Sequence, residues 1–201
     1  MKIFRPITVP LILLLLSAGM CTFLLATTYG HRQSATFAGA ERKIDWIAEN
    51  GRSGHPSTRP TVLTSAEWNA YLNEGGVTLP EGVSSVHLTT DPAVVHGDAE
   101  VDFDQLTANR TRKNPLLQLF TGKHHVTVTA QAAASNGIGT VRVESVQFDG
   151  LEIPRMALEY FCNRYLRPKY GNAYGMDSTF RLHSHIDTAI LGADKVTITQ
   201  R

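Results

Sequence analysis

Alternation of apolar and polar residues dominates the chain beyond residue 82 and predicts β-strands. From Val95 to Phe103 every second residue is apolar or glycine, and polar residues lie between them: His96, Asp98, Glu100 and Asp102. Residues 123–134 alternate in the same way and place three alanines on the apolar face: Ala130, Ala132 and Ala134. Such alternation is typical of strands that bury one face and solvate the other.

Turn residues and a phase change indicate how these strands connect. Asn136-Gly137 predicts a two-residue hairpin turn. In the returning strand, residues 140–148, the apolar positions share one face only if one residue is extra near Ser145. We interpret this as a β-bulge, which bends a strand. Further strands are predicted over residues 83–90, FRLHSHI (180–186) and KVTIT (195–199).

Helical spacing predicts three longer helices. Residues 35–50 place apolar residues on one face and end at Asn50-Gly51. Thr64 and Glu67 form a capping box at the start of a second helix, with Leu63 and Trp68 spaced as a hydrophobic staple.

The third helix follows Gly150, and Pro154 suits its first position because proline lacks the N–H that would be unpaired there. Its apolar face is predicted to hold five residues: Ile153, Met156, Ala157, Tyr160 and Phe161.

These elements predict an α+β fold. Strands joined by tight turns pair antiparallel, and their polar outer faces indicate that the sheet is covered on one side only. We therefore expect a curved antiparallel sheet with amphipathic helices on one face, preceded by an N-terminal transmembrane helix.

The first 30 residues predict that membrane helix. Residues 7–27 carry no charge and are long enough to span a bilayer, and Lys2 and Arg5 precede them. We divide the chain into an anchor (1–30), a stalk helix and linker (31–61) and an extracytoplasmic domain (62–201). A cleaved signal peptide is the alternative. Either case places the domain outside the cytoplasm, and an uncleaved anchor makes it a single-pass inner or plasma membrane protein with a periplasmic domain.

Composition excludes some classes of function. Lys plus Arg number 19 and Asp plus Glu 18, a balance that argues against a nucleic-acid partner. The two cysteines, Cys21 in the predicted anchor and Cys162 in the domain, form no disulfide framework. No phosphate-binding loop or nucleophile elbow is present, and we expect no cofactor.

Four groups of residues are candidates for a site. In a strand, His183, His185 and Asp187 would share a face as zinc ligands do. This stretch, RLHSHID, resembles the start of the HxHxDH motif of metallo-β-lactamase-like hydrolases, but position 188 is Thr. The same residues also fit a solvated strand face. Two further groups are charged: the acidic residues Asp98, Glu100 and Asp102, which suit calcium or a solvated face, and the basic residues Arg110, Arg112 and Lys113, which suit anionic lipid or a solubilising loop.

The fourth candidate is an apolar groove. The small residues Ala130 and Ala132 leave room beneath the third helix, so either that helix packs closely or a ligand lies between them. The groove would be lined by Ala130, Ala132, Met156, Tyr160 and Phe161.

Residues 62–201 resemble the YpmS-like and LmeA-like domains of bacterial envelopes, mainly over residues 139–166, which begin GTVRVESVQFDGLEIPRMALEYF, and also at SAEWNAYL (65–72). This resemblance implies an anchored or exported envelope domain, and the LmeA-like group implies phospholipid binding. The leading hypothesis is therefore a non-catalytic, membrane-anchored module that binds lipid or another apolar ligand. The alternatives are a scaffolding module with a protein partner and a metal-dependent hydrolase.

Overall fold

The computed structural model describes residues 34–106, 120–170 and 175–201. The predicted anchor, residues 7–27, and the basic residues Arg110, Arg112 and Lys113 lie outside these ranges. Within the described ranges, none of the helices combines the length and the apolar character that crossing a bilayer requires.

The described elements form one antiparallel sheet with a few helices, which agrees with the predicted α+β class. In chain order they are α1 (Ala35–Asn50), β1 (Thr61–Thr64), α2 (Ser65–Asn73), β2 (Val83–Asp91), β3 (Val94–Asp102), α3 (Phe103–Leu106), β4 (Lys123–Ser135), β5 (Ile138–Phe148), β6 (Leu151–Glu152), α4 (Arg155–Phe161), a π-helix (Cys162–Leu166), α5 (Arg167–Tyr170), β7 (Asp177–Arg181), β8 (Ile186–Gly192) and β9 (Lys195–Gln200).

All pairings among the described strands are antiparallel, as predicted. The order is β1-β9-β8-β4-β3-β2, and β5 pairs with β4, β6 and β7. Ala134 of β4 pairs with Gly139 of β5 and with Ala189 of β8. Because β5 occupies one edge of β4 there, β3 and β8 must share the other edge, one after the other along the strand.

The alternating patterns are confirmed in β3, β4 and β5. Val95, Ala99 and Val101 are buried, while Glu100 between them is exposed. The predicted bulge is also confirmed, because Thr129 pairs with Ser145 and Ala130 pairs with Val143, which leaves Glu144 as the extra residue. The bulge keeps the apolar residues on both sides of it on the buried face.

The hairpin at Asn136-Gly137 is confirmed as a two-residue loop. Both residues have positive φ, 53° and 73°, which is the signature of a type I′ turn. Asn and Gly tolerate this left-handed conformation better than other residues, so the turn fixes the register between β4 and β5.

Helix α2 begins at the predicted capping box and covers the exposed edge of β2. Asn69 donates from Nδ2 to the carbonyl oxygen of Leu88 (2.9 Å) and accepts from the Leu88 N–H (2.7 Å). One turn later, Asn73 forms the same pair of bonds with Val86 (2.6 and 3.1 Å). A four-residue helical step rises about 6 Å and a two-residue strand step about 6.8 Å, so the two asparagines match alternate residues of the strand.

Helix α1 has the predicted bounds, but it is packed into the domain instead of forming a separate stalk. Phe37, Ala40, Ile44 and Ile47 are buried. Two of them, Ile44 and Ile47, share a hydrophobic cluster with Trp68 of α2. The apolar face therefore covers the domain core, since exposing it to water would be unfavourable.

Polar contacts fix both ends of α1. The Ser34 N–H and hydroxyl donate to the Glu74 carboxylate (2.7 and 2.9 Å) at the end of α2. At the other end the buried amides of Asn50 and Gln200 form a hydrogen bond (2.8 Å), and Gln200 also donates to the carbonyl oxygens of Ile47 (2.7 Å) and Ser184 (2.6 Å). These bonds connect α1 to the end of β9.

Replacing Asn69 with alanine should destabilise the domain by about 1–3 kcal/mol, because the N–H and carbonyl oxygen of Leu88 lose their partners. Chemical denaturation of the variant measures this loss. Asn163→Ala, at an exposed asparagine, is the control and should change stability by less than about 0.5 kcal/mol. Equal stability of both variants would show that α2 does not protect the β2 edge.

Stability should depend on the charge of Glu67. Burial raises the pKa of its carboxyl, but hydrogen bonds from Lys43 (2.7 Å) and Thr64 outweigh burial and hold that pKa below its ordinary value. The resulting stabilisation is complete above the unfolded pKa of about 4.3 and is lost as the pH falls through the lower, folded value. Glu67→Gln should lower stability at pH 7 and reduce the loss of stability below pH 4.

Thermal unfolding between pH 3 and pH 7 tests this expectation. Glu41→Gln, at an exposed position of α1, is the matched control. A Glu67→Gln profile parallel to the wild-type profile over the whole range would contradict it.

Candidate functional site

The segment after β5 forms a lid, defined here as residues 149–167. Asp149 and Gly150 have positive φ (51° and 82°), so the chain reverses in two residues and Leu151 pairs with Phe148. The N–H of Ile153 donates to the Val146 carbonyl oxygen (2.9 Å). Pro154 then caps α4, one residue earlier than its predicted place inside the helix.

His124 and His125 fix the first turn of the lid. The Asp149 carboxylate accepts from His124 Nδ1 (2.7 Å) and from the His125 N–H (2.9 Å). The hydrogen bond from His124 is the main reason that the pKa of Asp149 lies below its ordinary value. His124 Nε2 lies 2.9 Å from the Thr121 carbonyl oxygen, so both ring nitrogens contact oxygen atoms that flank the turn.

Aromatic rings fill the space beneath the lid. Phe161 stacks on Phe120 with ring centroids 4.2 Å apart, and Phe103 contacts both rings edge-on. Phe148 completes the group, 4.9 Å from Phe103. Leu158 is also buried on this side. The lid therefore packs closely on the sheet at this end.

The predicted apolar face of α4 is wrong for Met156 and Tyr160. Met156 is 77% exposed and Tyr160 39% exposed, whereas Phe161 is 5% exposed. The prediction counted Ile153 as helical, but α4 begins at Arg155. Leu158 and Phe161, three residues apart, therefore set the buried side. At 100° per residue, Met156 and Tyr160 each lie about 160° from Leu158, on the opposite side.

The alanines of β4 are buried, so the expected groove is not open above them. Ala130 is 0% exposed and Ala132 is 7% exposed, and both belong to the main hydrophobic cluster with Leu158 and Phe161. Of the five residues predicted to line the groove, three are therefore core residues and two face solvent.

A shallow open groove of about 430 Å³ lies elsewhere, across β4, β5 and β7. Ala133, Thr140 and Thr179 are paired across these strands and form part of its floor. Ala132 contributes to it, but no lid residue does.

The structure separates the predicted zinc ligands. The strand expected over residues 180–186 ends at Arg181, and Ser184 and His185, both with positive φ, form a turn closed by the Ile186 N–H and the His183 carbonyl oxygen (3.1 Å). His185 Nδ1 donates to the carbonyl oxygen of Gly51 (2.6 Å), the residue that follows α1.

Asp187 pairs instead with Arg201 (3.0 Å). No group of three ligating side chains within the described ranges could hold a metal ion. The alternation that predicted the site fails because a turn interrupts the strand.

The acidic residues of β3 are engaged with neighbouring groups. Asp98 accepts from the Thr127 hydroxyl (3.1 Å), and Glu100 lies 3.2 Å from His125 Nδ1. Asp102 accepts from the first N–H groups of α3 at Asp104 and Gln105 (both 3.1 Å). This face is a cross-strand polar ladder with a helix cap at its end.

The lid continues from α4 into the five-residue π-helix Cys162–Leu166. Burial raises the pKa of the Cys162 thiol, which keeps it protonated and weakly nucleophilic at neutral pH.

Leu151 and Leu158 were missed as lid residues by the sequence analysis. Leu151 is 73% exposed, and we call the three exposed apolar residues of the lid, Leu151, Met156 and Tyr160, the lid face. The three-residue spacing of Leu158 and Phe161 is the signal that could have identified the buried side. Apolar residues on every side of the helix obscured it.

Comparison of the chain with protein-family models, with curated proteins and with solved structures found no match.

Phe161→Ala should destabilise the domain by about 3–5 kcal/mol, because it leaves a cavity against Phe120 and Phe103. Met156→Ala on the same helix should change stability by less than about 0.5 kcal/mol. Chemical denaturation of both variants tests the assignment of the two sides. A small effect of Phe161→Ala would indicate that the lid covers an open space.

Proposed function

We propose that the chain is a non-catalytic, membrane-anchored, extracytoplasmic module that binds lipid or another apolar partner through the lid face, Leu151, Met156 and Tyr160. The proposal keeps the predicted architecture of a curved sheet with helices on one face behind an N-terminal transmembrane helix. The observation that carries it is the exposure of Leu151 (73%) and Met156 (77%) on a segment whose other side is already packed.

The packing beneath the lid favours a ligand site on the outer surface of the lid over one enclosed between the lid and the sheet. A ligand between the lid and the sheet would have to displace Phe161, which stacks on Phe120, and Ala130 has no exposed surface to offer. Binding therefore takes place on the outer side of the lid, where apolar side chains are already in water.

The arrangement of the lid face also supports a binding role. Single exposed apolar residues are ordinary on protein surfaces. Here two long aliphatic side chains and a tyrosine fall within ten residues, and Arg155 beside them is held by Glu159 and Asp177 (both 2.8 Å). Exposed apolar side chains with charged neighbours are common on contact surfaces.

A scaffolding module with a protein partner is the second candidate, and the same lid face supports it. The hydrolase hypothesis has no comparable support, since the turn at Ser184 and His185 separates its ligands.

A photoreactive diazirine residue at position 156 of the full-length chain tests the proposal in intact membranes. We expect irradiation to cross-link this position to a partner, because Met156 is the most exposed residue of the lid face. The identity of the adduct, lipid or protein, decides between the two candidates.

Ile190, which is 62% exposed on β8, is the matched control position. Adducts of equal yield at positions 156 and 190, or none at 156, would refute a binding role for the lid face.

A further inference from the structure

We infer that the lid face lies on the anionic headgroups of the same membrane that anchors the chain. This inference rests on the proposed function and commits it to one partner, a lipid surface. Three features support it: where the tether (residues 28–33, between the predicted anchor and the described domain) joins the domain, how short this tether is, and which basic residues the lid carries.

The tether joins the domain at the end of α2. Residues 7–27 form the predicted anchor, and the described structure starts at Ser34, which binds Glu74 through its N–H and its hydroxyl (2.7 and 2.9 Å). Asn73, the last residue of α2, binds the backbone of Val86 close to the start of β2.

The start of β2 is also the end of the sheet that carries the lid. Val83 pairs with Val101 near the end of β3, and Val101 pairs with His124 at the start of β4. His124 stacks beside Phe148, and Phe148 belongs to the aromatic group beneath the lid. The tether and the lid are therefore at the same end of the sheet.

The end of α1 lies at the opposite end of the sheet, as expected if its start lies at the end that carries the lid. Gly51, which follows the last turn of α1, lies so close to the backbone of Ser184 that a Cβ at position 51 would clash with it. Ser184 precedes β8, and the Leu182 N–H donates to the carbonyl oxygen of Gly137 in the β4–β5 hairpin (2.8 Å). That hairpin lies at the far end of β4 from His124.

The tether is too short to carry the domain far from the bilayer. Six residues, 28–33, separate the predicted anchor from Ser34. Even a fully extended chain spans about 3.3–3.6 Å per residue, so Ser34 stays within roughly 20 Å of the membrane. A surface near Ser34 therefore meets lipid at a high effective concentration.

The charges of the lid differ between its two parts. The lid contains three arginines and three acidic residues, and all three acids (Asp149, Glu152 and Glu159) precede its last eight residues, which carry Arg164 and Arg167. Arg164 and Arg167 are exposed, and Arg155 neutralises Glu159. Apolar residues that enter the interface beside basic residues are the usual composition of segments that lie on membranes.

The test uses the full-length chain in lipid nanodiscs with an environment-sensitive fluorophore on Met156→Cys, in a background of Cys21→Ser and Cys162→Ala. Ile190→Cys carries the same label as the control. Spin-labelled lipids should quench the fluorophore at position 156 and leave position 190 nearly unchanged. Circular dichroism of each labelled protein checks that it is folded.

Lipid charge provides the second arm of the test. Quenching at position 156 should be stronger in nanodiscs with phosphatidylglycerol than in those with phosphatidylcholine alone, and salt should weaken it. Arg164→Gln and Arg167→Gln should each lower the ratio of molecules whose lid face contacts the bilayer to molecules whose lid face is free by about fivefold.

The lid face does not lie on the membrane if position 156 is quenched no more than position 190 in anionic nanodiscs. If position 156 nevertheless cross-links to a protein in intact membranes, the proposed function stands and only the lipid assignment fails. If position 156 is neither quenched by lipid nor cross-linked to a protein, the proposed function and the lipid assignment both fail.

Discussion

The fold depends on how the edge of β2 is satisfied. An edge strand presents unpaired N–H and carbonyl groups, and here Asn69 and Asn73 of α2 pair with two alternate residues of the strand. A helix thus takes the place of the next strand. This position of α2 determines where α1 packs, because Glu67 of α2 binds Lys43 of α1, and Glu74, which caps the end of α2, binds Ser34, which caps the start of α1.

Much of the sheet could be predicted because its physical signals are local. Period-2 alternation identifies the buried face of each strand, Asn136-Gly137 requires a tight turn, and the phase change near Ser145 requires an extra residue. The bounds of α1 follow from helical spacing in the same way. The packing of α1 on the domain could not be predicted from this spacing, because a stalk helix and a packed helix can have the same apolar face.

The candidate sites could not be predicted because they depend on phase and on long-range contacts. The start of α4 was predicted one residue early and Ile153 was counted on its apolar face, so Phe161 was placed correctly but Met156 and Tyr160 were predicted on the buried side instead of Leu158. The zinc prediction failed for a different reason. Ser184 and His185 form a left-handed turn although the turn contains no glycine, and distant residues such as Gly51 and Gln200 stabilise it by hydrogen bonds. The asparagines on the β2 edge also gave no signal, since asparagine in a helix usually faces water.

The π-helix from Cys162 to Leu166 has a consequence for how this protein can vary. A π-turn holds one more residue than the corresponding α-turn. Deleting a single residue there would restore a continuous α-helix, and the later residues of the lid would keep nearly the directions that they have now, because the deleted residue is the one that the wider turn accommodates. The π-helix is therefore a point at which related chains could lose or gain one residue without disturbing the stacking of Phe161 on Phe120.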